Sequence, residues 1–317
     1  MLNLNLITRE TLDKEYGPDG YITVSPSQLL VWFTCRYKWQ LTYLLGWTTQ
    51  STRAMLKGTM THELQQNLYQ FYIDQGTGVE PLTKLQKVAI KDPVEKQYVQ
   101  YEDTLLFYEA YTAFIRYLDF SINNDHFIPL LVEQELFVPT GLEYNGRPVF
   151  LHGFIDLIGE EAGGIIIMDH KSYNGDRGKW SANMVLFDQQ LAFYCLMLHM
   201  LGYTPSVAYI NGVNTYPYKS IQPLEKLFSR VPVAHTPERL EIYKANIFDA
   251  IDEMYTARRY TKRWTKDCAY CGYQEVCDMV LRGQNPDALL ENKHSRKELD
   301  VTVDTIMLEE LVEDGSE

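Results

Sequence analysis

The sequence predicts an α/β (α+β) fold, a central mixed β-sheet flanked by helices. Three observations predict it. Apolar spacing is helical through about residue 123, turns strand-like over residues 128–173, and then alternates helix, strand and helix up to residue 260.

Each element has a local reason. VSPSQLLVWFTCRYKWQLTYLLGW (24–47) reads as a helix, with Ser25 suited to the N-cap and Pro26 to the first helical position. MLKGTMTHELQQNLYQFYIDQG (55–76) is a second helix, and GTGVEPLTK (76–84) is a loop. Residues 92–123 are one or two amphipathic helices rich in Tyr and Phe. FIPLLVEQELFVP, RPVFLHGFIDLIG and GGIIIMDHKSY are three strands separated by turn residues, the last two joined at Gly163-Gly164. Residues 182–201 return to helical spacing, with Leu186, Leu191, Tyr194 and Leu198 toward the core. SVAYINGVNTY is a fourth strand, and residues 236–260 form a long amphipathic helix that enters a basic stretch. The expected organisation is one domain over 1–283. It has a helical part (24–127), a core (128–216) and a C-terminal helix with a cysteine cluster (236–283), followed by a peripheral acidic tail (284–317).

Composition narrows the function classes. At 317 residues the chain can bury a sizeable core. No run nears the roughly 18 apolar residues that span a bilayer, and the N-terminal stretch lacks a secretory pattern, so a cytoplasmic location without membrane contact is expected. A net charge of −13 argues against indiscriminate nucleic-acid binding, yet RRYTKRWTK (258–266) is strongly basic. A phosphate-binding GxxxxGK[ST] is absent: the Gly178-Lys179 pair is followed by Trp180. The five cysteines, an odd number, argue against a disulfide framework.

The most apolar hairpin carries three charges: Asp156, Asp169 and Lys171. Alternation puts Asp169 and Lys171 on one face, and Asp156 reaches that face if the register allows. A buried carboxylate needs a partner. One explanation is a structural salt bridge. The other is a hard-cation site, with the two aspartates as oxygen ligands for Mg²⁺ or Mn²⁺ and Lys171 beside the ion. Gln190 and Tyr194 stand four apart on the next helix, hence on one face. His62 lies four residues after Gly58, and Glu133 lies in a neighbouring strand with Glu135 on the same face.

Together, Gly58-x3-His62, Glu133, Gly153-x2-Asp156, Asp169-x-Lys171 and Gln190-x3-Tyr194 resemble the RecB-type branch of the PD-(D/E)XK nuclease superfamily, which includes Cas4 and the AddB nuclease domain. The resemblance implies a restriction-endonuclease-like core and His62, Asp156 and Asp169 as metal ligands. It implies Lys171 as the catalytic lysine, Gln190 and Tyr194 as its supporting pair, and Glu133 as a further acid.

Cys268, Cys271 and Cys277 form C-x2-C-x5-C, and Cys35 is the natural fourth thiolate; Cys195, on an apolar helix, reads as a structural thiol. From chemistry alone four thiolates suit zinc or an iron-sulfur cluster. Members of the same nuclease branch with this cysteine pattern carry a 4Fe-4S cluster, so the resemblance implies one here.

Arg258, Arg259, Lys262, Arg263 and Lys266 are candidate phosphate contacts, with Tyr260, Trp264 and Tyr270 available for stacking on bases. The expected activity is a metal-dependent DNA exonuclease on single-stranded DNA or DNA ends. It would serve recombination, repair or DNA processing, beside a helicase, recombinase or Cas1-like partner. A non-catalytic DNA-binding or scaffold subunit and an RNA-processing nuclease are the rival readings.

Overall fold

The computed structural model describes residues 6–49, 51–99, 104–175, 178–218 and 220–296. Where the sequence suggested one domain, the chain packs as two compact units. The first holds residues 51–136 and 153–244, the second residues 7–50, 137–152 and 245 onward.

α1 (Arg9–Tyr16) and β1 (Ile22–Val24) open the chain, and Leu12, Tyr21, Phe137 and Phe150 make a small core beside them. The single helix expected over 24–47 is broken into α2 (Pro26–Thr34), α3 (Arg36–Trp39) and a π-helical turn (Gln40–Leu44). Ser25 does cap α2, accepting a hydrogen bond from the Gln28 amide. Cys35 is the break, extended at φ −161° and ψ 112°. β2 (Trp47–Thr48) follows.

α4 (Arg53–Gln75) is capped by Thr52 and stopped by Gly76 in the left-handed conformation, φ 64°. It buries Met60, Leu64, Leu68, Tyr69 and Tyr72, one stripe at helical spacing. α5 (Lys84–Val99) and α6 (Thr104–Asn124) complete this helical part.

β3 (Ile128–Tyr144), β4 (Arg147–Glu161) and β5 (Gly164–Tyr173) form the expected meander. Its second turn sits one residue earlier than the sequence suggested. Glu161 pairs with Gly164, leaving Ala162 and Gly163 as a two-residue loop with φ 49° and 79°. Such a hairpin needs positive φ at both central positions, and here alanine takes one of them.

The helix expected over 182–201 is divided into α7 (Ala182–Leu186) and α8 (Gln189–Met200), because Asp188 accepts a 2.7 Å hydrogen bond from the Leu191 amide and starts a new helix. β6 (Val207–Asn214), the short α9 (Leu224–Leu227) and β7 (Phe228–Val233) come next. β7, which contains Pro232, has no clear strand signature in the sequence. α10 (Pro237–Thr256) ends before the basic stretch, so Arg258, Arg259, Lys262 and Arg263 lie on irregular chain and Lys266 opens a short 3-10 turn (Lys266–Tyr270). α11 (Gln274–Leu281), α12 (Asp287–Lys293) and β8 (Ser295–Arg296) follow. Leu290 of α12 is buried with Leu41, Tyr273 and Val276, and β8 pairs with β2, so residues 287–296 are built into a core rather than a peripheral tail. Residues 297–317, which hold the rest of the expected acidic tail, lie outside the described residues.

The mixed sheet of the first unit pairs β4 with β5 antiparallel, β5 with β6 parallel and β6 with β7 antiparallel. Ile166, Met168 and His170 face α4, whereas Lys171 faces α8. No described helix is long and apolar enough to cross a membrane.

Candidate active site

The site forms where β4 and β5 part. Their last paired residues are Leu157 and Met168, and beyond that pair the His170 amide donates to Asp156 Oδ2 (2.6 Å) instead of to a β4 carbonyl. Asp156 and Asp169 therefore stand at the fork of two strands, both buried. α4 brings His62 over this fork. His62 Nε2 lies 2.8 Å from Glu133 Oε1 and 3.6 Å from Asp156 Oδ2. Glu133 occupies a left-handed kink inside β3, φ 46°, and it rather than Glu135 reaches the histidine. That conformation costs roughly 1–2 kcal/mol for a residue with a Cβ.

The ligand atoms of His62, Glu133 and Asp156 all lie within 4.8 Å of one another. Among the described residues they are the one set of three such groups close enough to hold a metal ion. One imidazole and two carboxylates suit Mn²⁺ or Mg²⁺. Asp169 stands outside this compact trio. Its Oδ2 lies 2.7 Å from Lys171 Nζ, but neither of its oxygens receives an aligned hydrogen bond. Lys171 Nζ also donates to Gln190 Oε1 (2.7 Å), and Gln190 Nε2 donates to the Tyr194 hydroxyl (2.9 Å). The chain Asp169–Lys171–Gln190–Tyr194 thus runs from β5 to α8. A cavity of about 460 Å³ opens on the α4 side, lined by Gly58, His62, Glu133, His170, Lys171 and Ser172 among others.

Electrostatics mark the fork as short of positive charge. Burial, then repulsion from Asp169, pushes Asp156 up to about 7. Burial raises Asp169 as well, against the pull of Lys171. Burial works against a charged His62, but contact with Glu133 and the charges of Asp156, Glu133 and Asp169 win and hold it at about 9. Buried carboxylates held above their usual range are what a divalent cation would relieve.

Three participants escaped the sequence reading. Asp188 raises Asp169 and Lys171 through its charge; the N-cap pattern Asp-x-x-Leu was its available signal. Gly153 and Gly58 were read as spacing only. A Cβ on Gly153 would lie 2.8 Å from Tyr194 Cε1, and one on Gly58 would lie 2.7 Å from Ser172 Oγ.

The profile of the PD-(D/E)XK nuclease superfamily matches residues 23–278. The chain belongs to the PD-(D/E)XK nuclease superfamily. Members of this superfamily are generally nucleases and use divalent metals. A search of curated proteins finds no match to the chain. A solved structure described as "Crystal structure of SSO0001" is similar at 14% identity and a TM-score of 0.33, covering 70% of this chain and 97% of its own.

In the second unit, Cys35, Cys268, Cys271 and Cys277 line one cavity of about 260 Å³ with Tyr37, Leu41 and Tyr273. Burial raises the Cys277 thiol, and the three other cysteines add to this against Lys262. No three of these sulfurs fall within 4.8 Å of one another. Cys195 is buried on α8, its thiol pushed up to about 12 by burial.

The basic stretch is only partly open. Tyr260 stacks on Trp39 (5.6 Å, 23°), Lys262 lies 4.0 Å over the Tyr37 ring, and Arg263 donates to the Phe33 carbonyl (2.6 Å). Tyr260 is therefore committed to packing. Arg258, Arg259, Lys266, Trp264 and Tyr270 are exposed.

Proposed function

We propose that the protein is a metal-dependent deoxyribonuclease that hydrolyses phosphodiester bonds, an exonuclease acting on single-stranded DNA or DNA ends in recombination, repair or DNA processing. The observation that carries this reading is the convergence of His62, Glu133 and Asp156 within one coordination sphere beside the Lys171 ammonium. His62, Asp156 and Asp169 are the ligands assigned by resemblance; the geometry favours Glu133 as a ligand too, with Asp169 turned to Lys171.

When bound, Mg²⁺ or Mn²⁺ would lower the pKa of a water and offset charge on the phosphate. The chain supplies the rest. Lys171 presents an ammonium to the phosphate oxygen that gains charge. Asp169 holds that ammonium charged, Gln190 aims it, and Tyr194 fixes the Gln190 amide. Arg258, Arg259, Lys262, Arg263 and Lys266 are the proposed phosphate contacts, with Trp264 and Tyr270 as exposed stacking rings. A scaffold role beside a helicase or recombinase is disfavoured because Asp156, Asp169 and Lys171 are all intact.

The four cysteines are proposed to hold a 4Fe-4S cluster. A single zinc would draw four sulfurs to about 2.3 Å from one point, closer together than these stand, whereas a cluster spreads its thiolates over separate irons.

The deciding experiment uses anaerobically purified protein on end-labelled single- and double-stranded DNA with Mg²⁺ or Mn²⁺. Lys171→Ala is expected to slow cleavage by about 10²–10³-fold, the scale of one lost charge-stabilising donor. Equal cleavage by both proteins would remove the assignment.

A further inference from the structure

A third cavity, of about 250 Å³, lies beside the N-terminal end of α8 and is lined by Leu186, Phe187, Asp188, Gln189, His235, Arg239 and Tyr243 among others. His235 is only 6% exposed, yet neither ring nitrogen has a hydrogen-bond partner. Gln189 Oε1 is also buried without one. Buried polar groups are stable when paired, so the cavity is prepared for something that pairs with these. A neutral imidazole offers one donor and one acceptor, and the Gln189 carbonyl oxygen offers another acceptor. At the mouth, Phe187 leaves 74% of its surface open while the Arg239 guanidinium covers it from one side at 5.8 Å. Arg239 is itself held by the Leu186 carbonyl, and the Tyr243 hydroxyl by the Gln189 carbonyl, so the walls are fixed.

We propose that this cavity is a subsite for one nucleobase of the single-stranded substrate. The proposal rests on the nuclease reading above. A base edge alternates donors and acceptors, as the cavity does, and its ring stacks on an open aromatic face such as Phe187. The volume sits just below the usual range for small-molecule pockets, about 300–1,000 Å³, and so suits one flat ring system. Position relates the subsite to the reaction: Gln189 immediately precedes Gln190, which holds the Lys171 ammonium.

The test measures binding of the full-length protein to dye-labelled oligothymidine in chelator, where no cleavage occurs, beside strands carrying one abasic nucleotide at each position in turn. One position is expected to weaken binding by about 5- to 150-fold, the range for a lost stacked base. That penalty should vanish in Phe187→Ala and shrink in His235→Phe, with melting curves confirming that both variants fold. A 5-iodouracil at the same position should photocrosslink to the Phe187 peptide of the unaltered protein, which keeps the idea testable if a variant misfolds. A penalty that is uniform along the strand, undiminished in Phe187→Ala, or accompanied by a crosslink elsewhere overturns the subsite. Binding with this signature from a protein that cleaves nothing would sink the nuclease reading alone. Cleavage without any abasic dependence would sink the subsite alone.

Discussion

Single residues set the precision of the fork. Gly153 is needed because the Tyr194 ring occupies the space a Cβ would take. Gly153→Ala should cost about 1–3 kcal/mol of stability, the usual effect of overpacking, and push Tyr194 off Gln190, so that kcat falls while KM for DNA changes little. Parallel denaturation and kinetics check both halves. His235 gives a pH signature. Burial, with a smaller contribution from Arg239, lowers it to about 4. Its folded value therefore lies below the unfolded value near 6.5, and the stability it retains above pH 6.5 is lost as pH falls from there toward 4. The loss should be at most about 3 kcal/mol, and urea titrations across that window should show a slope that His235→Phe flattens. The identities of His62, Asp156, Asp169 and Lys171 were legible because charge is conspicuous in apolar sequence. The kink at Glu133 was not, since nothing in V-E-Q-E-L announces a left-handed residue.

At the scale of elements, a buried polar network ties α4 and α6 to β5, β6 and β7. Arg230 pairs with Asp125 and donates to Tyr117 (3.2 Å) and Asn211 Oδ1 (3.0 Å). The Tyr69 hydroxyl donates to Asp125 (2.6 Å), and Asn211 reaches His170 Nδ1 (2.8 Å), whose ring stacks on Tyr69. The His170 amide in turn holds Asp156. Burial raises Asp125 above the usual carboxylate range even with Arg230 beside it, so the pair is tightly interdependent. Arg230→Met should destabilise by about 3–5 kcal/mol, and adding Asp125→Leu should recover part of that loss, as expected when both ions of a buried pair are removed. Equilibrium unfolding of the three proteins decides it. Periodicity found α4, α6 and the meander because each buries a continuous stripe. It missed β1 and β7, which are short, and the breaks at Cys35 and Asp188, which are made by backbone geometry and a cap rather than by a change of hydrophobic period.

Across the whole molecule, the net charge of −13 has the same sign as the site, which holds its own surplus of carboxylate. Both features call for cations at the working end. The cysteine cavity joins segments more than two hundred residues apart in sequence within the second unit. A cluster there would close a very long loop and remove denatured-state entropy, stabilising on the order of a few kcal/mol. Cys35→Ala should lose iron, visible absorbance and several degrees of melting temperature. Full iron retention would show that Cys35 is no ligand.

The sequence by itself determined the fold class and the main helices and strands, and it singled out the acids, histidine, lysine and thiolates proposed to carry chemistry. Residue type and alternation are local properties, so a single chain displays them. Tertiary structure alone decided that Glu133 joins His62 and Asp156 while Asp169 turns to Lys171, that two glycines make room for Tyr194 and Ser172, and that an unpaired histidine lines a separate cavity. Those outcomes depend on where strands part and how closely helices approach, and such distances are fixed only when remote segments pack.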